Sequence, residues 1–335
     1  MVSEGEDVGM KKSSAKRKKK ISSFVLLISA VMVLGGCSGK ESGNEEASSD
    51  TEISASQSSE EESKGASDVQ EPAAAPVIEN AAWSGYFDGL NGAAVVYDPE
   101  RNYYQIYNQE LAETRRSPCS TFKVISSAVG LEHGIIAPED SVRAWSGEIY
   151  RNADWNRDIG FEDAFRTSCV WYFRQVVDEI GADLMESELS RLQYGNCDIS
   201  DWAGTLNTNT DNRDQTGFWI ESSLLISPRE QTEVMERIFG SSSQFSEETQ
   251  EKLKEVMLVT DLDTAGVPVY GKTGLGADGG TAVDAWFTGF ADIEGERRYF
   301  CVYLGETEGA EVTSGKAKEI AVEILSSLRG SSPGE

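Results

Sequence analysis

One histidine, His133, is all that the 335 residues contain. A metal centre of the His-rich kind is therefore excluded. A Ser-His-Asp triad would have to rest on a residue set in a helical stretch with no partner motif beside it. The five cysteines, at positions 37, 119, 169, 197 and 301, show no Cys-x-x-Cys spacing, so no zinc site follows and buried free thiols are the expectation. Basic residues are scarce: 30 Lys and Arg against 57 Asp and Glu give a net charge of -27, which removes nucleic acid as a partner. No apolar run reaches the roughly 20 residues that a membrane-spanning helix needs.

What is present begins with a basic block, Lys11 to Lys20, an apolar run from Phe24 to Leu34, and Leu34-Gly35-Gly36-Cys37. Basic, apolar, then small residues is the order of a secretory signal peptide, and the last four residues resemble a bacterial lipobox. The expectation is a signal peptide over 1–36, with Met10 as an alternative start, and lipid on Cys37. The protein would then be anchored extracytoplasmically, at the outer face of the cell membrane of a Gram-positive type of cell. Residues 37–82 are rich in Ser, Glu, Gly and Ala. They cannot bury enough apolar surface to offset their ordering entropy, so an acidic, disordered tether is expected there. One domain over 83–330 and a short tail over 331–335 complete the organisation.

Within the domain, Ala93–Tyr97, the turn Asp98-Pro99-Glu100-Arg101-Asn102, and Tyr103–Tyr107 read as a hairpin. From Ser120 an apolar helix runs to about Gly134, and the stretch from Pro138 to Phe239 is mostly helical. Val267–Gly274, Ala285–Phe290 and Tyr299–Leu304 read as strands, and Lys316–Leu328 as a closing amphipathic helix. Strands at both ends with helices between imply an α+β fold: an antiparallel sheet flanked by helices, plus a helical subdomain.

Ser120 and Lys123 stand three apart at the start of the buried helix, so hydroxyl and amine share one face. A serine needs a base to become nucleophilic, and a lysine can act as one only when burial lowers its pKa. Late in the chain, Lys272-Thr273-Gly274 on a strand offers a cation, a hydroxyl for a carboxylate, and room for close approach. Either motif alone is weak. Together, in this order, they match the pair found in serine β-lactamases and penicillin-binding proteins.

The sequence resembles the class D (oxacillinase-type) β-lactamases and the related sensor domains of β-lactam receptors. The resemblance is carried by Pro118-Cys119-Ser120-Thr121-Phe122-Lys123, Ser168-Cys169-Val170, Tyr194-Gly195-Asn196, Phe218-Trp219-Ile220 and Lys272-Thr273-Gly274. It implies a serine β-lactamase or penicillin-binding transpeptidase fold and hydrolysis of β-lactam antibiotics, conferring resistance. In that chemistry Lys123 is carboxylated by carbon dioxide, in a pocket of Phe122, Val170, Trp219 and Ile220. Ser120 is the nucleophile, Ser168 hands a proton to the leaving nitrogen, and Lys272 is the fourth catalytic residue. The backbone N–H groups of Ser120 and Leu275 form the oxyanion hole. Tyr194, Asn196, Thr273, Gly274 and Ser314 are the substrate-binding expectations. Carbon dioxide or bicarbonate is the only small molecule needed besides substrate, and no metal is expected. The arginine that many class D enzymes carry early in the last helix is missing from Val312–Lys318, which leaves Thr273 with Ser314, or Lys316, to hold the substrate carboxylate. Two alternatives share the motifs: a sensor domain that acylates without turnover, and a cell-wall transpeptidase. Val170, where transpeptidases usually have Asn, weighs against the second.

Overall fold

The computed structural model describes residues 75–207 and 209–330. The expected signal peptide, Cys37, the tether as far as residue 74, and the tail lie outside the described residues. The described elements are β1 (Val77–Asn80), α1 (Ser84–Phe87), β2 (Gly92–Asp98), β3 (Tyr103–Tyr107), α2 (Gln109–Ala112), α3 (Lys123–Glu132), α4 (Phe161–Arg166), α5 (Val170–Ile180), α6 (Ala182–Leu192), α7 (Pro228–Phe239), α8 (Glu247–Met257), β4 (Val269–Asp278), β5 (Thr281–Ile293), β6 (Glu296–Gly305) and α9 (Ser314–Ser327). A 3-10 turn, Cys119–Phe122, leads into α3.

Local chemistry fixes the turns. Asp98 Oδ1 accepts from the backbone N–H groups of Glu100 and Arg101, closing the β2–β3 hairpin. Glu294 and Gly295, both at positive φ, make the tight β5–β6 turn. Ser227 and Glu230 form a reciprocal capping box at α7, with Pro228 in the first helical turn.

The strands form one sheet in the order β1-β3-β2-β6-β5-β4, antiparallel throughout except where β1 runs parallel to β3. Both faces are covered. Phe287, Ala291, Phe300, Val302 and Leu304 meet Ile320, Ala321, Ile324 and Leu325 of α9. On the other face Phe290 and Tyr299 join the helical core of α3, α5, α6, α7 and α8. Each large apolar side chain so buried is worth roughly 1.5–3 kcal/mol, which explains the nearly continuous apolar runs in β5 and β6.

The α+β architecture matches the expectation, with one correction. The tether was expected to reach residue 82, yet Val77–Asn80 is a strand that pairs in register with Tyr103–Ile106. All four of its residues are exposed, so nothing in its pattern marks a core-facing element. Backbone pairing to β3, with Ala81 N–H continuing to Ile106 O, holds it.

Candidate active site

The nucleophile turn sits where helical core and sheet meet. Pro118, Cys119 and Ser120 arrive in a sharp bend with Cys119 at φ 49°. A non-glycine residue held there costs of order 1–3 kcal/mol and persists only where surroundings enforce it. The enforcement is visible: Cys119 N–H donates to Trp219 O at 2.9 Å, Ser117 Oγ donates to the same carbonyl at 3.1 Å, and Glu221 N–H donates to Ser117 Oγ at 2.8 Å. The Phe-Trp-Ile segment thus straps the turn in place. On the other side β4 presses directly against it. A Cβ at Gly274 would stand 3.0 Å from Pro118 O and 3.0 Å from Thr121 Cγ2, so Gly274 acts through the close approach it allows.

Lys123 Nζ donates to Ser120 Oγ at 2.8 Å, and the lysine is only 1% exposed. Burial lowers its pKa from 10.5 to about 8, against a smaller upward pull from the Cys169 and Cys119 thiols. Its surroundings are aromatic. The Phe173 ring lies 5.5 Å from Nζ. Phe122 stacks on Trp219 at 5.6 Å and meets Phe218 edge-on at 5.3 Å. Ile220 packs, half-buried, against the same cluster. Val170 opens α5 and is half-buried beside Cys169.

Ser168 links α4 to α5 at φ 58°, and its Oγ is buried without a hydrogen-bond partner. A lone buried hydroxyl is costly unless something completes it, which suits a group awaiting substrate. Lys272 is 4% exposed, its Nζ donates to Thr273 O at 3.1 Å and Thr273 Oγ1 at 3.3 Å, and the Phe165 ring lies 5.7 Å away. Burial, then the charges of Lys123 and Lys318, push its pKa well down. Leu275 follows on the same edge strand, half-exposed at 49%.

A cavity of about 260 Å³ runs along β4, lined by Lys272, Thr273, Arg166, Asp261, Phe287 and Lys318. Ser120, Lys123 and Ser168 are not among its lining residues, and of the last helix only Lys318 is. Lys316 points elsewhere and pairs with Glu319 at 3.5 Å, and neither it nor Ser314 lines this cavity. Lys318 does: it crosses the Phe287 ring at 6.0 Å and pairs with Asp261, whose carboxyl it holds below the ordinary range.

Tyr194 and Asn196 also differ from expectation. Tyr194 is fully buried, edge-on to Phe122 at 5.7 Å. Asn196 donates to Ser223 O at 2.8 Å and accepts from Leu225 N–H at 2.9 Å. Gly195, at φ 51°, lies so close to the Leu225 carbonyl that a Cβ would meet it at 1.9 Å. Gly195 and Asn196 staple the segment after α6 to the one that carries Trp219, and the Asn196 amide is spent on backbone, whereas the buried Tyr194 hydroxyl has no hydrogen-bond partner. The residues that sequence reading missed are Phe173, Arg174 and Lys318. Phe173 was legible as the i+3 neighbour of Val170 on an apolar stripe.

His133 caps the end of α3 and stands 3.5 Å from Glu188, a helix-end histidine as expected. Cys119, Cys169, Cys197 and Cys301 are free thiols. Among the described residues no His, Cys, Asp and Glu group is suited to a metal ion, and no helix is long and apolar enough to cross a membrane.

Comparison with known proteins places this geometry. The penicillin-binding protein transpeptidase domain model matches residues 92–326. The chain is 32% identical over 240 residues to the probable β-lactamase YbxI of Bacillus subtilis, covering 71% of this chain and 81% of the relative. It is 31% identical over 251 residues to the regulatory protein BlaR1 of Bacillus licheniformis, covering 74% of this chain and 39% of the relative; it therefore spans about two fifths of that protein's length. Among solved structures, a class D β-lactamase from Bacillus subtilis superposes with a TM-score of 0.61 at 30% identity, covering 74% of this chain and 95% of that one. The C-terminal domain of the Bacillus licheniformis BlaR penicillin-receptor gives 0.64 at 29% identity, covering 79% and 100%.

Proposed function

The chain belongs to the penicillin-binding protein transpeptidase family, with class D β-lactamases and a penicillin-receptor domain among its relatives, and from that membership we propose that it hydrolyses β-lactams through an acyl-enzyme on Ser120. The observation that carries this reading is the buried Lys123 amine at 2.8 Å from Ser120 Oγ, with a pKa pulled down to about 8. A base in hydrogen-bond reach of the hydroxyl it must deprotonate is the geometric requirement.

Lys123 has an aromatic pocket, an amine that burial makes easier to deprotonate than an ordinary lysine's, and no ion-pair partner among the described residues. That environment fits N-carboxylation by carbon dioxide, which supplies a carboxylate base at the end of the side chain. Lys123 so modified takes the Ser120 proton as Oγ bonds to the lactam carbonyl carbon. The N–H groups of Ser120 and Leu275 hold the developing oxyanion; such a donor is usually worth ~3–4 kcal/mol. The C–N bond breaks as Ser168 Oγ gives its proton to the lactam nitrogen and takes up in its place the proton that modified Lys123 drew from Ser120, which frees the base. Water then attacks the Ser120 ester carbonyl carbon, giving a proton to Lys123, and Ser120 Oγ leaves as Lys123 returns that proton to it. Thr273 offers a hydroxyl to the substrate carboxylate, with Lys318 as a flanking cation and the buried Lys272 amine holding the Thr273 hydroxyl at 3.3 Å.

Export under a signal peptide, lipid on Cys37 and anchoring at the outer membrane face belong to the same proposal, as does a role in β-lactam resistance. Purified protein mixed with a chromogenic cephalosporin in bicarbonate buffer tests it. Repeated turnover through a Ser120-linked adduct, abolished in Lys123→Ala, is the expected result. A single stoichiometric burst ending in a stable adduct would replace hydrolysis by the receptor function that the BlaR name carries.

A further inference from the structure

One buried cation near the site takes no part in the chemistry just described. Arg174, on α5 one helical turn beyond Val170, is 9% exposed. Its guanidinium carbon lies 5.6 Å from the ring centre of Trp219 and 5.7 Å from that of Trp202. Nη1 donates to Trp202 O at 2.8 Å, Nε donates to Asp178 Oδ2 at 3.0 Å, and Nη2 bonds the other oxygen of that carboxylate. The planar fork is therefore fixed along three directions, which a lysine could not reproduce. Trp202 in turn stacks on Phe218 at 5.1 Å.

Trp219 has aromatic neighbours of its own. Phe122 stacks on it, and Phe218 meets it edge-on at 5.0 Å. A Cβ at Gly217 would lie 2.3–2.6 Å from Cζ3, Cη2 and Cε3. Those three atoms belong to the six-membered edge of the indole, so the Nε1 edge is directed away from Gly217. The Arg174 guanidinium is a further neighbour, over the ring. A cation over an indole is attracted by the ring quadrupole, the more so when desolvated. It also draws electron density from the ring, which strengthens the indole N–H as a donor.

We propose that Arg174 is a positioning residue, which acts through Trp219 to set the affinity of Lys123 for carbon dioxide. The inference rests on the carboxylated-lysine reading above and adds to it the device that tunes it. The segment that carries Trp202 then has a role: it clamps the guanidinium from the outside. A merely structural ion pair would support the fold without touching the carbon dioxide equilibrium.

The test is the bicarbonate dependence of the full-length protein and its Arg174→Met and Arg174→Lys variants. Turnover of a chromogenic cephalosporin is measured against bicarbonate, alongside the 13C NMR carbamate signal in labelled bicarbonate. For Arg174→Met the half-saturating bicarbonate should rise about tenfold, with kcat at saturation within twofold of the parent; Arg174→Lys should fall between. Half-saturation equal to the parent's, or a loss of kcat that bicarbonate does not restore, overturns the proposal. Trp202→Leu, at a half-buried position, keeps the test decisive if Arg174→Met does not fold. It should shift half-saturation about threefold in the same direction, and no shift there overturns the proposal too. A parent without any carbamate signal sinks the carboxylated-lysine reading and this proposal with it. A signal of unchanged affinity in the variants sinks this proposal alone.

Discussion

Carboxylation needs the neutral amine, so the pKa of Lys123 sets how fast a stripped protein can reload. With the pKa at about 8, about one amine in ten is neutral at pH 7 and about one in a hundred at pH 6, against roughly one in three thousand at pH 7 for an ordinary lysine. The protein would be stripped of carbon dioxide at about pH 5 and returned to buffers of fixed dissolved carbon dioxide between about pH 6 and 9. Recovery of cephalosporin turnover is then timed. The recovery rate should rise about tenfold from pH 6 to 7, about fivefold from 7 to 8, and less than about twofold from 8 to 9. A rate that goes on climbing about tenfold per unit from pH 7 to pH 9, as an unperturbed lysine requires, or one indifferent to pH, refutes the reasoning. The same burial has a stability side. The folded pKa lies below the unfolded value, so the unfolded chain binds more protons between about pH 8 and 10.5. The uncarboxylated protein therefore carries a penalty of about 3 kcal/mol below pH 8 that fades as pH rises through that window.

Three substitutions test other parts of the site. Lys318→Ala should raise KM about tenfold for β-lactams that carry a carboxylate while leaving kcat nearly unchanged, the loss of one charge-assisted contact; steady-state kinetics decide it, and an unchanged KM removes Lys318 from substrate binding. Gly274→Ala drives a methyl group against Pro118 O and Thr121. It should cost about 1–3 kcal/mol in denaturant unfolding and slow the acylation burst roughly a hundredfold, because the nucleophile turn must shift. Asn196→Ala should cost about 2–3 kcal/mol of stability, from backbone groups left unpaired, with KM unaltered. A raised KM at full stability would return Asn196 to substrate binding.

The Ser120–Lys123 contact was legible because helix geometry alone places positions 120 and 123 together, and the buried pattern that follows forecasts the amine's lowered pKa. The strand that bears Lys272, Thr273 and Gly274 was legible from its alternation and its place late in the chain. The last helix shows the limit. Lys316 and Lys318 are equivalent in composition, and only the helical phase set by α9 docking on β5 and β6 directs Lys318 over Phe287. Asn196 reads equally well as a ligand or as a backbone staple, since an amide serves either, and tertiary contact decides. Arg174 was invisible for a related reason: its partners Trp202, Asp178 and Trp219 are scattered along the sequence. Strand β1 escaped notice because an exposed edge strand carries no burial pattern to read.

That edge strand has a practical meaning. The described chain enters at β1, on the outermost edge of the sheet, and Lys272 and Leu275 lie on β4, the opposite edge. Five strand spacings separate them, roughly 24 Å. Anything joined ahead of residue 75, whether a fluorescent reporter, a bead or a surface, attaches at the sheet edge opposite the one that packs on the Ser120 turn. The cleft beside β4 stays open to small molecules arriving from the other direction, so attachment by the N-terminal side leaves it unobstructed.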